Sequence, residues 1–100
     1  MFEQISIDDI IEKQKAIGGM IVDLRSKQEY ERGHIVGANN IPFEQIDISH
    51  LEWNKDRPIL LYCKYGTRSI RMAKILYEQG YDVINTIGGY EQYTGKIERV

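Results

Sequence analysis

Cysteine occurs once in the 100 residues, at Cys63. A single thiol excludes an intrachain disulfide and leaves no second thiol to resolve an oxidised first one. Histidine occurs only at His34 and His50, so no zinc-binding spacing exists and no metal is expected. Proline is confined to Pro42 and Pro58, and no repeat, low-complexity tract or linker divides the chain. One domain over residues 1–100 is therefore expected. Long apolar runs are missing: a stretch such as Ile59 to Cys63 falls far short of the roughly 20 residues that span a bilayer, so no membrane partner is expected. The opening MFEQISIDDI has neither the basic region nor the apolar segment of a secretory signal, and the expectation is a cytoplasmic, reduced protein. Positive charge is not in excess either. Thirteen Lys and Arg face 15 Asp and Glu, a net charge of −2, which argues against polyanion binding and against a nucleic-acid partner.

What is present is an alternation of short apolar runs and helical patterns. After a brief extended start, Ser6 and Asp9 stand in a weak capping-box relation, Ile7, Ile10 and Ile11 give helical spacing, and Gly18-Gly19 ends the segment. Met20 to Leu24 reads as a buried strand. Ser26 and Glu29 form an S-x-x-E box, with Gly33 as the stop of a short helix. Asn39 and Asn40 read as a turn, and a helical piece is expected from Pro42 to about Asn54, its apolar contacts supplied by Ile46, Ile48, Leu51 and Trp53. Pro58 to Cys63 predicts a second buried strand and Asp82 to Ile87 a third. Ser69 to Gln79 is the clearest helix: Ile70, Ala73, Leu76 and Tyr77 make its apolar stripe, and Arg71, Lys74 and Glu78 its solvated face. Strands alternating with helices predict an α/β protein with a mostly parallel sheet covered on both faces. Ligands of such sheets bind at the carboxyl ends of strands. Cys63 lies at one.

A lone cysteine at a buried strand end is most often a small hydrophobe. The residues after this one point elsewhere. In Cys63-Lys64-Tyr65-Gly66-Thr67-Arg68, Gly66 permits a tight turn, and a turn closing onto a helix start aims successive N–H groups at one spot. The helix adds the positive end of its dipole. Both stabilise negative charge on a sulfur, the nucleophilic form of a thiol. Lys64, Arg68, Arg71 and Lys74 make this window basic in an acidic protein, which suits a small anionic substrate.

CKYGTRS (Cys63–Ser69) resembles the active-site loop of rhodanese-like sulfurtransferases, C-x-x-G-x-R-S. VDLRSKQEYERGHIVGANNIP (Val22–Pro42) is similar to that family's second signature, and GGYEQY (Gly88–Tyr93) to its closing G-G-x-x-x-W, with Tyr93 where Trp is more common. The resemblance covers nearly the whole chain, in order. It implies a rhodanese-like, five-stranded α/β sheet with helices on both faces. It also implies a double displacement in which Cys63 takes sulfur from a donor such as thiosulfate, becomes a persulfide, and yields it to cyanide, a thiol or a sulfur-relay protein. No cofactor is implied beyond that covalent persulfide. The family's phosphatase relatives use a loop one residue longer than Cys-x4-Arg, and a shorter ring fits one sulfur better than a tetrahedral oxyanion. The rival readings are a non-catalytic rhodanese-like binding module, weakened by the retained cysteine, and a Cys-dependent phosphatase or arsenate reductase.

Within this reading Lys64 is a solvent-facing electrostatic guide. Tyr65, Gly66, Thr67 and Ser69 serve mainly through their backbone N–H groups, with Ser69 also placed to cap the helix. Arg68 either contacts the bound anion or pairs with an acid behind the loop. Asp23 and Arg25 read as structural, with Glu29 the expected partner of Arg25. The family pattern makes His34 structural, His50 is expected to be exposed, and Tyr90 and Tyr93 are candidates to flank the pocket.

Overall fold

The computed structural model describes all 100 residues. In chain order the elements are β1 (Glu3–Ser6), α1 (Ile10–Ile17), β2 (Met20–Asp23), α2 (Lys27–Arg32), β3 (His34–Ile35), β4 (Asn39–Asn40), β5 (Ile59–Tyr62), α3 (Thr67–Glu78), β6 (Val83–Ile87) and β7 (Ile97–Glu98). Five strands form one sheet in the order β1-β6-β5-β2-β4, and every pair in it is parallel. The central strand β5 is buried along its whole length, which is why its sequence is continuously apolar rather than alternating.

Period-two geometry sorts the core into two layers. Ile59, Leu61 and Cys63 project to the face covered by Met72, Ala73 and Leu76 of α3, together with Val22 and Leu24. Leu60 and Tyr62 project to the opposite face, against Ile7, Ile10, Ile21 and Ile35. Helices therefore cover both faces, and the side-chain parity of β5 sends Cys63 toward the N-terminal end of α3. No helix is long and apolar enough to cross a membrane.

The α2 capping box forms as its spacing predicts: Ser26 Oγ accepts the Glu29 N–H at 3.2 Å, and Glu29 Oε1 accepts the Ser26 N–H at 3.4 Å. Ser6 instead caps a 3-10 turn, Ile7–Asp9, its Oγ accepting the Asp8 N–H at 3.4 Å. Elsewhere the structure departs from the sequence reading. Asn39 and Asn40 are not a turn but the edge strand β4, paired with Val22 and Asp23. The helix expected from Pro42 to Asn54 is a single 3-10 turn, Phe43–Gln45, followed by irregular chain. Asp47 Oδ1 accepts the Ser49 N–H at 3.0 Å and Asn54 Oδ1 the Asp56 N–H at 2.8 Å, local bonds that compete with helical ones. In α3 the buried stripe is Ser69, Met72, Ala73 and Leu76, while Tyr77 is exposed. The polar tail supplies β7, which pairs antiparallel with β3 in a separate two-stranded ribbon.

Candidate active site

Cys63 follows the last residue of β5 and is 3% exposed. Its Sγ accepts the N–H of Gly66 at 3.1 Å and that of Ser69 at 3.3 Å. The loop reaches this geometry because Gly66 is left-handed, at φ 100°, where a side chain costs about 1–2 kcal/mol. Gly66 is also the residue that caps α3, so the helix starts earlier than its apolar pattern suggests. Ser69 is therefore not a cap. It lies inside the first turn, fully buried, with its Oγ donating to the Gly66 carbonyl at 3.1 Å, and it locks the turn from behind. The N–H groups of Lys64, Tyr65, Thr67 and Arg68 have no protein acceptor.

The thiol faces a cavity of about 350 Å³. Lys64, Tyr65, Thr67 and Arg68 form its near wall. Leu24, Arg25 and Glu29, from the chain after β2, form the far wall. Gly66 and Ser69 do not reach this space and serve through their backbone. Lys64 is half-buried, its Nζ 3.9 Å from Glu29 Oε2 and 5.2 Å from the Tyr65 ring centre. Of the two roles open to Arg68, this structure displays the ion pair: Nη2 lies 2.8 Å from Glu44 Oε1. Glu44 and the cavity roles of Leu24, Arg25 and Glu29 have no local sequence signal, because the contacts cross between strands.

Beside the cavity the ends of β2 and β5 are tied together. Arg25 pairs with Asp23, not with Glu29: its Nη2 lies 2.8 Å from Asp23 Oδ2, and its Nε 3.1 Å from both carboxylate oxygens. Nη2 also donates to the Gly33 carbonyl at 2.6 Å, and Tyr62 Oη donates to Asp23 Oδ2 at 2.6 Å. Burial works against the Arg25 charge, but the hydrogen bonds and charge of Asp23 outweigh it and hold the guanidinium above its ordinary range. Burial first, then the Asp23 charge, pushes the Tyr62 hydroxyl far above the usual phenol range. Burial alone would raise Glu29, yet the Ser26 hydrogen bonds and the Arg25 and Lys64 charges bring it below the ordinary carboxylate range.

Tyr90 covers the Arg25 guanidinium at 3.9 Å and lines a smaller adjoining cavity rather than the one holding Cys63. Its N–H donates to the Cys63 carbonyl at 2.8 Å, and the Glu91 N–H donates to the Lys64 carbonyl at 3.2 Å. These bonds bring Gly89 against the Lys64 backbone, where a Cβ would overlap the carbonyl. Tyr93 takes no part in the site; its hydroxyl donates to the Lys96 carbonyl at 3.0 Å. His34 is structural, 4% exposed, stacked on Tyr30 and with Nδ1 2.7 Å from the Tyr30 carbonyl oxygen. His50 is exposed beside Glu52. No three His, Cys, Asp or Glu side chains gather in a way that would hold a metal ion.

A family model described as Rhodanese-like domain matches residues 5–96. YqhL of Bacillus subtilis, an uncharacterized protein, is 39% identical over 79 residues, covering 78% of this chain and 63% of that protein. YrkF of Bacillus subtilis, whose name proposes a sulfur carrier, is 37% identical over 79 residues, 78% of this chain and 43% of its own length. The match thus spans less than two thirds of either relative. Thiosulfate sulfurtransferase GlpE of Coxiella burnetii is 33% identical over 94 residues, 93% of this chain and 88% of that protein. Among solved structures, a rhodanese-like domain protein from Staphylococcus aureus superposes with a TM-score of 0.83 at 27% identity, covering 99% of both chains.

Proposed function

Because the chain belongs to the family of rhodanese-like domains, we propose that it is a sulfurtransferase in which Cys63 carries a sulfane sulfur as a persulfide. The observation that carries this reading is the seat of the thiol: Sγ faces a cavity on one side and two backbone N–H donors on the other. Relatives named for thiosulfate sulfurtransfer and for sulfur carriage support the same chemistry.

The reaction proceeds in two displacements. The Cys63 thiolate attacks the outer sulfur of a donor, for which thiosulfate is the simplest. The donor's S–S bond breaks, its electron pair leaves with sulfite, and Cys63 becomes a persulfide anion. An acceptor, cyanide or a thiol, then attacks the outer sulfur and regenerates the Cys63 thiolate. The Gly66 and Ser69 N–H groups hold the resting sulfur, and the open N–H groups of Tyr65, Thr67 and Arg68 receive the charge as it moves outward. Lys64, on a flexible stem at the cavity wall and only loosely paired with Glu29, is the residue that guides a charged donor. No metal or organic cofactor takes part. With no second cysteine in the chain, the sulfur leaves to another molecule, a small thiol or the thiol of a sulfur-relay protein.

Initial rates with thiosulfate and cyanide varied together test the double displacement. Parallel double-reciprocal lines are expected. Intersecting lines would replace the covalent carrier by a ternary complex, and absence of turnover with any sulfane donor would favour a binding module.

A further inference from the structure

The sequence window around Cys63 is basic, but the folded site is not. Each cation on the cavity wall stands beside a carboxylate: Arg25 beside Asp23, two residues before it, and, from other parts of the chain, Lys64 beside Glu29 and Arg68 beside Glu44. We propose that Glu29 and Glu44 set the charge of the sulfur donor, cancelling the cationic wall so that the site favours a monoanionic or neutral sulfane donor over the thiosulfate dianion. This rests on the sulfur-transfer reading above and deepens it.

Glu29 differs from a solvated surface carboxylate in how it is held, whereas Glu44 is exposed and held through its backbone turn. Glu29 is fixed by the α2 capping box, where its Oε1 takes the Ser26 N–H and, at 3.0 Å, the Ser26 hydroxyl. That leaves Oε2 toward Lys64, at a separation of 3.9 Å that is loose for an ion pair. Lys64 is on a long flexible stem and can follow a ligand; Glu29 cannot leave the wall without uncapping α2. The same Ser26 bonds hold Glu29 below the ordinary carboxylate range, against the effect of burial. Glu44 sits in the Phe43–Gln45 turn, which is anchored to β2's end by the Phe43 N–H donating to the Leu24 carbonyl at 3.0 Å. A dianion reaching Sγ therefore meets a fixed negative charge on one side and an arginine already engaged on the other. A donor persulfide R–S–SH avoids that cost. Thiolate attack on its outer sulfur breaks the S–S bond, the electron pair leaves on R–S, and the proton stays with the transferred sulfur.

The test compares thiosulfate with methanethiosulfonate, in which a methyl group replaces one oxygen and one negative charge. Sulfite leaves from the first and methanesulfinate from the second, and the same Cys63 persulfide results. With cyanide as common acceptor, the readout is the ratio of kcat/KM for the dianion to that for the monoanion. Glu29→Gln keeps the capping box, since Gln serves at that position. Its ratio is expected to rise about three- to tenfold at low ionic strength and to return toward wild type at about 1 M salt, where charges are screened within about 3 Å. Glu44→Gln should move the ratio the same way, and Lys64→Gln the opposite way. A Glu29→Gln ratio equal to wild type at low salt, or one that changes equally at high salt, would overturn the proposal and reduce Glu29 to a helix cap. If neither donor loads Cys63 in the wild-type chain, sulfur transfer itself is overturned, and donor selection with it.

Discussion

β2 and β5 are neighbours in register, Asp23 opposite Tyr62, and each delivers a polar group to the same end of the sheet. At the end of β2 the carboxylate of Asp23 is closed in by the Arg25 backbone N–H, the Arg25 guanidinium and the Tyr62 hydroxyl. At the end of β5 the Cys63 sulfur has two N–H donors behind it and a cavity in front. The first corner engages its polar groups with one another and holds the chain; the second engages the Gly66 and Ser69 N–H groups with the sulfur and leaves those of Lys64, Tyr65, Thr67 and Arg68 without a protein acceptor. Backbone N–H groups without a protein acceptor, beside a buried thiol that faces a cavity, are what separates the second corner from the first.

The comparison can be broken from either side. Arg25→Ala should cost about 3–5 kcal/mol in urea unfolding, because it strands a buried Asp23 carboxylate. Cys63→Ser should cost about 1 kcal/mol or less, since a hydroxyl accepts the same two N–H groups. Comparable losses would erase the distinction between the corners. Gly89→Ala comes next. It combines φ 69° with overlap on the Lys64 carbonyl, so it should destabilise by more than the about 1–2 kcal/mol of the left-handed conformation and slow sulfur loading by displacing the loop. Gly66→Ala pays only the conformational part, for its added Cβ meets nothing nearer than 3.9 Å. An equal effect at the two glycines would deny that Gly89 clamps the loop. The smallest effect is one of pH. Glu29 titrates lower folded than unfolded, so it stabilises the fold above its unfolded value of about 4.3 and that contribution disappears as pH falls through the lower, folded value. Unfolding free energy measured across this acid range should fall less steeply in Glu29→Gln; identical slopes would detach the carboxylate from the box.

The Cys63 corner was more legible in the sequence than its surroundings. Cys63 could be placed because a continuous apolar run, a glycine and a helical pattern meet there, and all three signals are local. The parity of Ile59, Leu61 and Cys63 then decides which face the thiol takes. The edge strand β4 was illegible, since two asparagines carry no apolar pattern and pair only because Val22 and Asp23 lie beside them. Ile46, Ile48, Leu51 and Trp53 suggested a helix, yet Ile46, Leu51 and Trp53 pack against the α3-side core from irregular chain and Ile48 is exposed, so tertiary contact replaces periodicity there. The partner of Arg25 was misread for a related reason. Glu29 is nearer a helical spacing, but its carboxylate is engaged by Ser26, while Asp23 is buried at the strand end and requires a cation. The acids that neutralise Lys64 and Arg68 meet them only across the fold.

The most direct test is the intact mass of the protein after incubation with a sulfane donor and removal of excess reagent. The wild-type chain should gain one sulfur atom, mapped to the peptide containing Cys63 and discharged by cyanide, and Cys63→Ser should gain none while remaining folded. No adduct on the wild-type chain with any sulfane donor, or an adduct that persists in Cys63→Ser, would contradict the assignment of this thiol as the sulfur carrier.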